Sequence, residues 1–259
     1  MSQVLMAFHE QIGTVTFNNA ERRNCLSNSM LEEISAAIGE LVERKARVIL
    51  LRAPKGSAVW SAGFDVRDLP EPGRDPLSYN DELGVALRAV QMAPCPVVAM
   101  IEGSVWGGAC DLAVTCDLVI GCPSATFAIT PAKLGVPYTT TGLMRFANTV
   151  GMHIAKEMFF SAQPISPERA HQIGILNHLV ETEELESFTW ALAQRITGNS
   201  PLAISVMKEQ LRLLGNSYPM SPEAHERIQG LRSRVYNSRD YREGKQAFLE
   251  KRKAVFTGM

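Results

Sequence analysis

The chain has 259 residues, 46% hydrophobic and 20% charged, enough to bury one large core and too apolar for a disordered polymer. A formal net charge of -1 provides no field that would draw in nucleic acid or an anionic membrane surface, so neither is an expected partner. Five cysteines (Cys25, Cys95, Cys110, Cys116 and Cys122) form no C-x-x-C pair, which argues against a zinc site and for free thiols in a reducing compartment. The opening MSQVLMAFHEQIG lacks a basic start and long apolar run, and no stretch approaches the ~18 apolar residues of a membrane span. A soluble cytoplasmic protein is expected.

In chain order, apolar alternation in VLMAF and GTVTF predicts two short strands up to Phe17, joined as a hairpin across a turn at residues 11–13. From residue 29 to 42 the period changes. Met30, Leu31, Ile34, Ile38 and Leu41 recur at three- and four-residue spacing, with Ser27 or Asn28 as cap, which predicts an amphipathic helix. RVILL at 47–51 and PVVAMI at 96–101 are β-branched runs flanking a helical stretch at 77–92. Strand, helix, strand, helix implies parallel crossovers. Further strands are predicted at 118–121 and 125–129. After residue 142 the pattern is helical, including 183–196, 202–214, 222–236 and 240–253, and LPEPGRDP at 69–76 reads as a surface loop. No internal repeat is visible. A division follows into a core at 1–195 and a helical region at 196–259, whose charged run 250–253 is flanked by Phe248, Val255 and Phe256.

Two glycine-rich turns lie just beyond strands, SAGFD at 61–65 and EGSVWGGACD at 102–111. Ligands of open α/β sheets bind at the carboxyl ends of strands, where small residues let backbone N–H groups approach. Gly107 and Gly108 also precede the apolar run 109–114, so a helix N-terminus would point at whatever binds there. Neither turn matches a dinucleotide or P-loop fingerprint. The carboxylates on offer as a general base are Asp65, Asp111 and Asp117. Asp65 reads as a turn or cap residue and Asp117 as the start of the next element, while Asp111 stands out on an apolar helical face. His9, His153, His171, His178 and His225 lie away from both turns and are read as structural. No Ser-His-Asp arrangement is visible. TPAKLGVPY at 130–138 places two hydroxyls, Thr130 and Tyr138, in a proline-bounded loop after a strand.

NCLS at 24–27, WSAGFD at 60–65, PVVAMIEGSVWGGACDLAVTCDLVI at 96–120, KLGVPY at 133–138 and FLEKRK at 248–253 together resemble the crotonase, or enoyl-CoA hydratase/isomerase, superfamily along almost the whole chain. The resemblance implies an α/β fold of stacked ββα turns forming a spiral, with a C-terminal helical trimerisation region and assembly as a homotrimer or dimer of trimers. It implies an acyl-CoA substrate, with coenzyme A part of that substrate and no separate cofactor or metal. By motif position it assigns an oxyanion hole to the peptide N–H groups of Phe64 and Gly108. Contacts to the acyl-CoA are assigned to Leu26, Ala62, Gly63, Asp65, Val66, Arg67, Asp111, Phe248 and Lys251, the last two across a subunit boundary. Alone, Lys251 is a solvated surface lysine.

Hydratases of the superfamily carry two glutamates, and this chain has Asp111 at one position and Pro131 at the other. A proline side chain moves no proton. EPGRDPLSY at 71–79, EGSVWGGA at 102–109 and GVPY at 135–138 resemble the branch that decarboxylates methylmalonyl-CoA. That resemblance gives Tyr138 and Thr130 the task of holding a carboxylate. The branch has histidine where this chain has Phe64, so a ring hydrogen bond is lost while the backbone donor survives. The alternatives are hydration or isomerisation using Asp111 alone, and a silent acyl-CoA or RNA binding protein.

Overall fold

The computed structural model describes residues 2–75, 77–217 and 219–259. Strands β1 (Val4–His9) and β2 (Ile12–Phe17) form the predicted antiparallel hairpin. Its turn is the pair Glu10 and Gln11, one residue earlier than expected. Both have positive φ, 49° and 65°, as a two-residue turn matching the strand twist requires. Helix α1 (Asn28–Glu43) is capped by Ser27, whose hydroxyl accepts from the Met30 N–H, and it buries the five apolar residues picked out by spacing.

Three ββα turns follow. The first is β3 (Val48–Arg52), β4 (Val59–Ser61) and α2 (Glu82–Met92). The second is β5 (Val97–Ile101), β6 (Ser104–Trp106) and α3 (Gly108–Thr115). The third begins with β7 (Leu118–Gly121) and β8 (Phe127–Ala128) and leads into α4 (Thr140–Val150) and α5 (Met152–Ser161). In each turn the first strand joins one sheet and the second another. The larger sheet has the order β1-β2-β3-β5-β7-β9 and the smaller β4-β6-β8, and every pairing except β1 with β2 is parallel. Stepping one strand per turn along both sheets is the expected spiral.

The large sheet is covered on both faces at its centre, so β3, β5 and β7 are continuously apolar, whereas β1 at the edge alternates. Ile49, Leu51, Val97, Ala99 and Ile101 face α1 and α2, and Val48, Leu50, Val98 and Met100 face α7 (Leu185–Thr197). Each fully buried Leu or Ile contributes roughly 1.5–3 kcal/mol relative to exposure. Trp60 ties the two sheets together. Its indole N–H donates to the Met100 carbonyl at 2.9 Å, and its ring meets Phe17 edge-on at 4.8 Å between centroids.

Several boundaries differ from the sequence reading. The helix expected from residue 77 starts at Glu82, where Asp81 caps it by accepting from the Gly84 N–H. The glycine-rich stretch 102–111 is not all turn, since it contains β6. The strand expected at 125–129 is reduced to β8. Between α6 (Pro167–Gln172) and α7, the two-residue β9 (His178–Leu179) adds an edge that no periodicity announced. Pro76, in the predicted 69–76 loop, lies outside the described residues.

The C-terminal helices are α8 (Pro201–Gly215), α9 (Pro222–Tyr236) and α10 (Arg239–Leu249), the last ending four residues before the expected boundary at 253. Helices α9 and α10 fold back over the loops of the core. Tyr236 and Tyr241 pack with Val66, Leu69 and Val136. The Tyr241 hydroxyl donates to Pro70 O at 2.9 Å, and the Lys245 ammonium donates to Leu69 O at 2.8 Å. This docking is close enough that a Cβ on Gly244 would overlap the Leu134 carbonyl. Gly244→Ala is therefore expected to cost about 1–3 kcal/mol by overpacking, measured as a lower urea midpoint with an unchanged slope.

Candidate active site

The loop after β4 is held by a backbone pairing. The Leu26 N–H donates to Gly63 O at 2.8 Å and the Asp65 N–H donates to Leu26 O at 3.1 Å, so Leu26 and Phe64 form an isolated parallel bridge. In such a bridge the flanking residues face the partner and the central residue faces away. The Phe64 N–H is thereby turned from Leu26. On the other side stands Gly108, the first residue of α3, whose N–H has no acceptor within the helix. Among the described residues, no carbonyl of another loop and no side chain engages either N–H. The two peptides are neighbours. A Cβ on Gly108 would lie 3.4 Å from Phe64 N, and one on Gly63 would lie 3.3 Å from Gly108 N while overlapping the Trp106 carbonyl. With Gly63 at φ +87° and Gly107 at φ +51°, both approaches suit glycine.

These peptides border a cavity of about 880 Å³, within the range of small-molecule sites. A second cavity, about 390 Å³, is bordered by Gln11, Arg47, Cys95 and Ile204 and shares no lining residue with the first. The chemistry gathered from the sequence lies at the larger one. Thr130, Tyr138, Asp111, Phe64 and Gly108 all line it.

In the segment 62–67, Ala62, Phe64 and Val66 reach the cavity, whereas Gly63, Asp65 and Arg67 do not. The segment ends in a 3-10 turn at Val66–Asp68, which carries Arg67 away from the cavity. Asp65 is a cap, as read from sequence, accepting from the Arg67 N–H at 3.1 Å, and it also pairs with the guanidinium groups of Arg67 and Arg22. Leu26 is fully buried beneath the loop and positions it through backbone hydrogen bonds rather than by lining the cavity. Phe248 reaches the cavity wall of its own chain. Lys251 is exposed, beyond the end of α10, and does not line the cavity.

Tyr138 follows β8 by a 3-10 turn at Pro131–Leu134. Its ring packs edge-on against Phe159 at 4.8 Å and Phe146 at 6.3 Å, and a Cβ on Gly142 would lie only 2.5 Å from its Cε1. The ring is thus fixed from three sides. Its hydroxyl is buried and has no hydrogen-bond partner among the described residues. Burial first, and the neighbouring Asp111 carboxylate second, hold its pKa well above the ordinary value of 10.0. Thr130 stands opposite the second glycine turn, its hydroxyl oxygen 3.3 Å from where a Cβ of Gly107 would be.

Asp111, the carboxylate singled out on the apolar face of α3, is not a free base. Its Oδ1 accepts from Arg145 Nε at 2.9 Å, with the two side chains 4% and 16% exposed. Asp117, by contrast, immediately precedes β7 and is occupied by the Val97 N–H and the Lys208 ammonium, each at 2.7 Å.

The sequence reading missed two arginines. Arg145 is a lone cation in the otherwise uncharged α4, and that isolation is the one signal that marks it. Arg232 on α9 donates through Nη1 to the Tyr138 carbonyl and through Nη2 to Asp75 Oδ1 at 2.6 Å. No local pattern links residues so far apart in the chain. The histidines need one correction. His225 lines the cavity, because α9 returns across its mouth, and is not remote from the turns.

Comparison with known proteins agrees with this geometry. The family described as enoyl-CoA hydratase/isomerase matches residues 7–259. Methylmalonyl-CoA decarboxylase of Escherichia coli K12 is 47% identical over 248 residues, covering 96% of this chain and 95% of the relative. A short-chain-enoyl-CoA hydratase of Clostridium acetobutylicum is 26% identical, covering 98% and 97%. A solved methylmalonyl-CoA decarboxylase in complex with 2-nitronate-propionyl-CoA superposes with a TM-score of 0.97 at 46% identity, covering 99% of each chain. Another, complexed with 2S-carboxypropyl-CoA, gives the same score and identity, covering 100% and 99%. With the spiral fold, the paired peptide donors and a family match that spans nearly every residue, the chain belongs to the enoyl-CoA hydratase/isomerase family.

Proposed function

We propose that this protein decarboxylates methylmalonyl-CoA to propionyl-CoA. The observation that carries the reading is the Tyr138 hydroxyl, buried and without a hydrogen-bond partner among the described residues, on a residue that lines the same cavity as the unengaged N–H groups of Phe64 and Gly108. A thioester oxygen placed between those donors takes up the electron pair as the bond from the α carbon to the carboxylate breaks. Carbon dioxide leaves, an enolate remains, and one proton added at the α carbon completes propionyl-CoA. Fixed donors aimed at the developing charge need no reorganisation, and removal of one typically costs ~10² to 10³ in rate.

No base is needed to start this reaction, which suits a site whose one carboxylate of catalytic position, Asp111, is held by Arg145. Tyr138 and Thr130 hold the leaving carboxylate, and Ala62, Val66 and Phe248 support the coenzyme A portion from the cavity wall. Hydration of a double bond is the second reading, suggested by the hydratase relative and opposed by the pairing of Asp111. Exposed Leu202, Leu211 and Leu214 on α8 support assembly through the 196–259 region, as the expected trimer or dimer of trimers. No helix among the described residues is long and apolar enough to cross a membrane.

Purified protein given methylmalonyl-CoA should release propionyl-CoA, and given crotonyl-CoA should form no 3-hydroxybutyryl-CoA, both followed by mass spectrometry. The reverse pattern would overturn the reading. Tyr138→Phe is expected to lower turnover about 10- to 100-fold, the weight of one hydrogen bond to a charged group, with coenzyme A affinity unchanged. Unchanged turnover would remove Tyr138 from the mechanism. Because the folded pKa of Tyr138 is raised, it stays protonated up to at least its ordinary value of 10.0, and turnover should show no loss from tyrosine ionisation below that pH. Its contribution to stability is full below pH 10 and is lost as pH rises further, since the unfolded chain then ionises first.

A further inference from the structure

We propose that the Asp111–Arg145 ion pair keeps the carboxylate subsite electrically neutral, and that this neutrality sets the balance between gripping the substrate carboxylate and letting it leave. The inference rests on the decarboxylase reading above and names a determinant that the reading does not require. Asp111 Oδ1 and Arg145 Nε are 2.9 Å apart, nearly sealed from solvent, and both side chains line the cavity beside Tyr138. The remaining charged groups of the wall are engaged elsewhere or stand on other elements. Arg232 is bound to Asp75, Arg88 lies over the Tyr79 ring at 4.0 Å, Asp81 caps α2, and His225 belongs to α9.

Each partner of the pair would be harmful alone. A lone Asp111 carboxylate would repel the incoming carboxylate, since like charges sharing a buried site disfavour each other. A lone Arg145 guanidinium would take that carboxylate in a two-point, charge-assisted grip. Such a grip is strongest before reaction and fades as the charge moves to the thioester oxygen and neutral carbon dioxide forms. Binding that favours the ground state over the transition state tightens the complex and slows the chemistry. The pair removes both effects and leaves the neutral Tyr138 hydroxyl as the hydrogen-bond donor to the carboxylate.

The test is a binding series with two coenzyme A thioethers, one bearing a carboxylate at the acyl position and one with an uncharged propyl group, run beside turnover of methylmalonyl-CoA. Asp111→Asn is expected to bind the carboxylated thioether about tenfold more tightly than wild type while kcat falls about tenfold. Arg145→Gln is expected to bind it about tenfold or more weakly, and the double variant should return toward wild type. The uncharged thioether should move less than about threefold throughout, a split that general loosening of the fold would not produce. Parallel shifts for both thioethers, or weaker binding of the carboxylated one by Asp111→Asn, would overturn the proposal. Each single variant leaves one buried charge unpaired, so the double variant, which leaves none, decides the question where either fails to fold: binding of the carboxylated thioether more than about threefold from wild type would overturn the proposal. Wild-type discrimination of the kind expected, without release of propionyl-CoA, would retain the neutral subsite and overturn the reaction alone.

Discussion

The site depends on one backbone pairing, the bridge between Leu26 and Phe64. Leu26 takes the carbonyl before Phe64 and the N–H after it, so the Phe64 N–H is turned away from Leu26, with the Gly108 peptide as its neighbour. Gly63 permits the approach by having no Cβ, since a methyl group there would overlap the Trp106 carbonyl. Two donors from separate turns of the spiral thereby meet at one cavity. The donors are peptide groups, so the side chain at residue 64 is free to vary while the geometry persists.

Around this frame the polar groups divide into spent and unspent. Asp65, Asp117 and Asp81 satisfy backbone N–H groups or cations and shape the loops. Tyr138 is the exception. A buried hydroxyl without a partner costs about 1–3 kcal/mol, and its aromatic cage of Phe146 and Phe159 holds it in place at that cost. A ligand oxygen that reached it would recover the loss, which is how a binding site differs from a core packed for stability alone.

The C-terminal helices are part of the same device. Arg232 joins the Tyr138 carbonyl to Asp75, Tyr241 and Lys245 hold the carbonyls of Pro70 and Leu69, and α10 packs directly on the turn that leads to Tyr138. The segment 196–259, expected from sequence to serve assembly, thus also walls the cavity through His225, Arg232 and Phe248. Breaking one member of a buried polar tie leaves its partner unsatisfied, so these contacts constrain the loops more firmly than their number suggests.

By itself the sequence determined what local chemistry can encode. Period-3.6 spacing and Ser27 define α1, the apolar runs define β3, β5 and β7, and the two glycine turns mark where backbone donors are exposed. The motifs carried the family and the peptides of Phe64 and Gly108. Tertiary structure alone decided that none of the three candidate carboxylates, Asp65, Asp111 and Asp117, is a free base. Asp111 reads as a suspicious acid on an apolar helix until Arg145, a helix away, is seen against it. It also decided that β9 exists, that His225 faces the cavity and that Arg232 holds Tyr138, because each of these rests on contacts between segments distant in the chain. Periodicity reports a residue's neighbours along one element, and ion pairs, edge strands and cavity walls are relations between elements.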